Sequence, residues 1–137
     1  FGNNVEDAMG HVRFVAFYLL CGVAAALAQA VFEPSSQIPM IGASGAISGV
    51  LGAYLLLYPH ARVQVLVPLG VVMHMASLPA LLVLGLWFVL QLISSAAATG
   101  GEGGTAWFAH LGGFIAGMAL IPLFKYRRIR LFNPPHR

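Results

Sequence analysis

The chain has 137 residues, of which 59% are hydrophobic and only 8% charged, against roughly 25% charged in an ordinary soluble domain. That balance excludes a water-soluble globular protein. The net charge of +3 does not point to nucleic acid either, because the basic residues are few and are not interleaved with exposed aromatics as such a surface needs.

The N-terminal stretch FGNNVEDAMGH is polar and mildly acidic. It lacks the basic, apolar, small-residue order of a cleaved signal peptide and is expected to belong to the interior of a longer polypeptide. Residues 14–32 follow as the first predicted span, with Gln29 its most polar member. Nineteen apolar residues in helical form cross roughly 30 Å of hydrocarbon. Cys21, the single cysteine, lies inside this span, so no disulfide holds the fold and a packing role is expected.

The second span, residues 43–58, opens on the small residues GASGAISG and stops before Pro59. From Val63 to Ala98 no charged residue occurs, which is too long for one span, and Pro68 and Pro79 interrupt it. Residues 63–78 are therefore expected to form an interfacial or partly re-entrant connection. The third span then runs over 79–95, with Pro79 suited to a first helical turn. The fourth covers 107–124, with His110 its only ionisable side chain, and 125–137 form a short basic tail suited to a topology and anionic-lipid anchor. Four spans put Arg13, Arg62, Lys125, Arg127, Arg128, Arg130 and Arg137 on one side, while the opposite loops carry Glu33 and Glu102. The positive-inside rule makes the basic side, with the C-terminus, cytoplasmic. The expected fold is an all-α polytopic membrane bundle, a single domain over residues 1–137.

Two explanations fit the small residues of span two. Gly45, Gly49 and Ala53 recur every four residues, as do Gly113 and Gly117 in span four, which is the pattern of a close helix contact in lipid. The alternative is a serine held for chemistry. The segment is not the nucleophile elbow of α/β-hydrolases, since Ala46 stands where that motif needs glycine. His110 favours chemistry, because an ionisable residue inside a span is costly and by default functional. It shares one helix face with Gly113 and Gly117, at i, i+3 and i+7. If that face packs on the glycine face of span two, Ser44 comes within reach of a general base at matching depth. The alternative for His110 is a packed histidine bonded to a carbonyl or hydroxyl. No carboxylate lies within any span, so a Ser-His dyad is what the sequence permits. His11, His60, His74 and His136 are expected to take no part.

These residues resemble the rhomboid intramembrane serine proteases. The resemblance is carried by GNNVED before a Gly-His and a Tyr-containing span, by GASGAISGVLGAY, by LPALLVLGLWFVLQL and by AHLGGFIAG. It implies a rhomboid-like six-helix core of which the four spans are helices three to six, in a multi-pass protein of a bacterial-type plasma membrane. It also implies Ser44 as nucleophile and His110 as general base, with Gly42 and Gly45 framing the serine and Gly113 and Gly117 letting the last helix approach. The substrates would be transmembrane segments of other membrane proteins, with no metal or cofactor. The family's oxyanion side chains belong to a helix that would precede Phe1, leaving the Ser44 backbone N–H as the donor in this chain; one such donor is worth about 10²–10³ in rate. Many members also place an aromatic four residues after the nucleophile, against the histidine, where this chain has Ser48. Two other functions fit the same residues: a non-catalytic rhomboid-like protein that binds and escorts transmembrane helices, and a transporter using His110 as a proton relay.

Overall fold

The computed structural model describes residues 1–35, 37, 43–97 and 107–133, with the side chains of Ser95 and Ala96 excepted. Its elements are α1 (Gly2–Met9), α2 (His11–Phe32), α3 (Ser44–Leu57), β1 (Arg62–Leu69), β2 (Val72–Pro79), α4 (Ala80–Ala97) and α5 (Trp107–Phe124). Helices α2 to α5 fall on the four predicted spans, with α2 beginning three residues earlier than expected. Gly42, Glu102, His136 and Arg137 lie outside the described residues.

The helices differ from those of a water-soluble bundle in what they expose. On α2, Phe17, Cys21, Ala25 and Gln29 are buried, while Leu19, Val23, Leu27 and Val31 point outward. A helix apolar on its exposed face as well as its buried one is matched to lipid. Helices α2 and α5 are each long and apolar enough to cross a membrane. Helix α3, with 14 residues, spans about 21 Å, short of the roughly 30 Å hydrocarbon core.

Side-chain contacts fix the helix directions. Helix α3 runs parallel to α5, Gly45 lying against Ala109 and Gly49 against Gly113. Helix α2 runs antiparallel to both, with Ala25 facing Gly45, Cys21 facing Gly49 and Phe17 stacking edge-on against Phe124 at 5.8 Å. The α3–α5 contact is the most extensive in the molecule and α2 packs on both partners, whereas α4 touches the rest sparingly. The basic residues gather at one end. Arg13 Nη1 donates to the Phe124 carbonyl at 3.4 Å, and the guanidinium carbons of Arg13 and Arg128 lie 5.3 and 5.2 Å from the Tyr126 ring. The Phe132 and Asn133 N–H groups donate to the Leu56 and Leu57 carbonyls at 2.7 and 2.8 Å, tying the tail to the end of α3, from which the chain reaches Arg62. The tail thereby satisfies carbonyls that the last helical turn leaves without partners.

Helix α1 was not anticipated. Its Val5, Ala8 and Met9 are buried, an i, i+3, i+4 spacing that suits one helix face. Gly10, at φ 87°, turns the chain from α1 into α2, and a Cβ there would strike the Tyr126 hydroxyl.

The connection over 63–78 is an antiparallel hairpin in register from Arg62↔Pro79 to Leu69↔Val72, so the chain is not all-α. Three valines at alternate positions, Val63, Val65 and Val67, favour a pleated strand. Gly70, at φ 66°, occupies the first central position of a two-residue turn, the position that a type II′ turn reserves for glycine. The base carries Arg62, Gln64 and Ser77 on one face, but toward the tip His74 is the one polar side chain, and Leu66, Leu69, Val71, Val72, Met73 and Met75 are exposed. Open strand edges exclude the hairpin from hydrocarbon, and its apolar side chains disfavour water. The balance of the two predicts a position at the membrane interface. In liposomes, a fluorophore on Val71→Cys, in a chain with Cys21→Ala, is expected to be quenched by lipids carrying the quencher near the headgroup and not by iodide in solution; iodide quenching alone would refute the placement.

Candidate functional site

The site is built where the first turns of α3 and α5 meet. Ser44 is the first residue of α3, exposed, with its backbone N–H among the groups that a helix start leaves without intrahelical partners. Ser48, one turn on, is buried and donates its Oγ–H to the Ser44 carbonyl at 2.9 Å. Its hydroxyl is thereby satisfied within the helix, although buried.

The approach of α5 is set by backbone. A Cβ on Gly113 would run into the Gly45 carbonyl oxygen and one on Gly117 into that of Gly49, while a Cβ on Gly45 would lie 2.5 Å from Ala25 Cβ. Gly45, Gly113 and Gly117 thus lie where these helices meet, and Gly42 lies outside the described residues. Gly52 and Gly112 join them, meeting Phe114 and Ala28 respectively. The turn carrying His110 is consequently pressed on the turn carrying Ser44. No hydrogen bond links the two side chains among the described residues.

His110 is 7% exposed. Its Nδ1 is 3.2 Å from Gln91 Oε1 on α4, and its ring centroid is 6.0 Å from that of Trp87, at 39°. Gln91 and Trp87 are four residues apart, one above the other on the same helix face. An aromatic does face the imidazole, then, but from α4 and not from position 48.

A second polar link anchors the start of α5. The Ala109 N–H donates to Gln29 Oε1 at 3.2 Å, and Gln29 Nε2 donates to Glu33 Oε2 at 2.7 Å. Phe32 and Phe108 stack beside it with centroids 5.1 Å apart. Gln29 thus satisfies a first-turn N–H of α5 inside an apolar bundle, next to His110. Gln29→Leu strands that donor, and a buried unsatisfied amide costs about 1–3 kcal/mol. The expected result is earlier unfolding in detergent; an unchanged transition would show that the link is dispensable.

The remaining histidines described lie elsewhere. His11 pairs with Glu6 at 2.7 Å on the exposed junction of α1 and α2, and His74 is on the hairpin opposite Val67. Among the described residues no group of three His, Cys, Asp or Glu side chains is placed to hold a metal.

A polytopic helical membrane protein with a serine and a histidine on abutting helix turns is the class that fold and geometry define. The rhomboid domain model matches residues 1–127, and the chain belongs to the rhomboid family. It is 34% identical over 119 residues to the rhomboid protease GluP of Bacillus subtilis, covering 87% of this chain and 21% of that protein. It is 31% identical over 71 residues to the mitochondrial rhomboid protein 1 of Saccharomyces cerevisiae, covering 49% of this chain and 20% of that protein. The chain thus spans about a fifth of the length of these curated relatives. No solved structure matches it.

Proposed function

We propose that the chain carries the catalytic Ser-His dyad of an intramembrane serine protease and supplies helices three to six of a six-helix rhomboid core. The single observation that supports this most is the backbone contact of Gly45 with the Ala109–Gly113 turn, which sets Ser44 and His110 on touching turns in a family whose relative GluP is a protease.

In this mechanism Ser44 Oγ attacks the scissile carbonyl carbon of a substrate's transmembrane segment as its proton passes to His110 Nε2. The Ser44 N–H, at the positive end of the α3 dipole, donates to the developing oxyanion. The C–N bond then breaks, the imidazolium gives its proton to the leaving amine, and an acyl-serine remains. Water attacks the ester, its proton passing to His110, and Ser44 recovers a proton as the acid product leaves. The short α3 starts below the outer membrane surface when its other end is flush with the bilayer, which recesses Ser44 from that surface. The basic end with Arg13, Arg62 and the tail faces the cytoplasm.

A fluorophosphonate probe applied to the full-length parent tests the assignment: it should label the parent and leave Ser44→Ala unlabelled. Labelling that persists in Ser44→Ala refutes the nucleophile. One observation favours a second reading, a non-catalytic protein that escorts transmembrane helices: the Ser44 and His110 side chains, both among the described residues, are not hydrogen-bonded to each other. A parent that folds, binds substrate helices and takes no label would establish that alternative.

A further inference from the structure

We propose that Gln91 is a positioning residue that fixes the tautomer and the plane of the His110 imidazole. The proposal rests on the dyad assignment and adds a third member to it. The carboxamide Oε1 lies 3.2 Å from Nδ1 and has lone pairs and no proton, so a hydrogen bond between them requires the proton on the ring nitrogen. A neutral imidazole protonated at Nδ1 has its lone pair on Nε2, the nitrogen that can accept a serine proton. Without Gln91 the ring is free to take the opposite tautomer, which presents an N–H toward the serine and cannot act as base.

The location of Gln91 suits the task. It comes from α4, a third helix beside the two whose glycines meet. Trp87, one turn earlier, contacts the same ring, and Phe88 packs on Trp107 and Phe114, with centroids 5.2 Å away in each case. These contacts make the His110 turn the main place where α4 is joined to α5. A glutamine rather than an aspartate fits the setting. The amide orients the ring as a carboxylate does in the serine protease triad, without placing an unpaired negative charge inside a membrane span.

The test is ¹⁵N NMR of His110 in the full-length parent in micelles, with His110→Ala used to assign its ring signals. The wild type should show a protonated Nδ1 and an unprotonated Nε2. Gln91→Met, which keeps the length and loses the acceptor, should shift the ring toward the Nε2–H form. Its kcat should fall about tenfold at unchanged KM, the scale of one neutral hydrogen bond, and Gln91→Glu should restore the acceptor and the Nδ1–H form. A wild type protonated at Nε2, or a Gln91→Met signal identical to wild type, overturns the proposal. If Gln91→Met does not fold, Gln91→Glu alone decides: the Nδ1–H proton must move downfield as its acceptor gains charge, and an unmoved proton overturns the proposal. The tautomer is read without substrate, so it stands apart from the dyad, whose own failure shows as fluorophosphonate labelling that survives Ser44→Ala.

Discussion

Gly117→Ala is expected to unfold at markedly lower denaturant than the wild type, whereas Gly85→Ala is expected to unfold where the wild type does or slightly later. Both substitutions add one methyl group to a helix of similar apolarity. At Gly117 the new Cβ collides with the Gly49 carbonyl oxygen and lies 2.5 Å from its carbonyl carbon and 2.7 Å from its Cα. All three atoms are backbone, so no rotamer change relieves the overlap and α3 and α5 must separate. Overpacking costs typically 1–3 kcal/mol, and the absence of a flexible neighbour puts this case at about 3 kcal/mol or above. At Gly85 a Cβ meets nothing within 4 Å, and alanine is the better helix former by up to about 1 kcal/mol. Denaturation of the full-length parent in mixed micelles measures both. The two variants unfolding together would mean that the α3–α5 approach is looser than the structure has it. Gly113→Ala, which meets the Gly45 carbonyl, acts one turn from His110 and should also cost activity, because a displacement of about 1 Å lowers rates about a hundredfold.

That contrast shows where the sequence was informative. The four-residue spacing of Gly45, Gly49 and Ala53, and of Gly113 and Gly117, exposed the faces that meet, since small residues in register on two helices have few other uses in lipid. Ser44 and His110 stand out as candidates for the same reason, each tied to a periodic face. Gln91 and Gln29 were not: a lone glutamine in an apolar run has no period, and its partner depends on how helices distant in sequence cross. The spans carry no carboxylate, and the proposed orienter is an amide, a residue type that the triad pattern does not single out. The hairpin was missed although Val63, Val65 and Val67 alternate and Gly70 marks a turn. Pro68 and Pro79 read equally as helix breakers, and the uncharged run from Val63 to Ala98 hides the strands in its length. For α1, the i, i+3, i+4 spacing of Val5, Ala8 and Met9 was present, but its flanking Asn, Glu and Asp residues masked it.

Ser44→Ala and His110→Ala are each expected to lower kcat by roughly 10³-fold or more, and the double variant is expected to be no slower than the worse single one. General-base catalysis alone contributes about 10²–10⁴, and a serine without its base is a weak nucleophile at neutral pH. Residues that act on one proton do not add: once the attacking oxygen is gone, the imidazole has nothing to deprotonate, so its removal changes nothing further. The measurement is cleavage of a transmembrane substrate by the purified full-length parent in liposomes, with KM followed separately. KM should hold steady in all three variants, since in the proposed mechanism Ser44 and His110 act on the scissile bond and not on the length of the bound helix. Multiplicative losses would mean that the two side chains work at separate steps. If Ser44→Ala retains cleavage while His110→Ala abolishes it, the histidine serves another reaction, such as proton relay, and the contact between the two helix turns is packing alone.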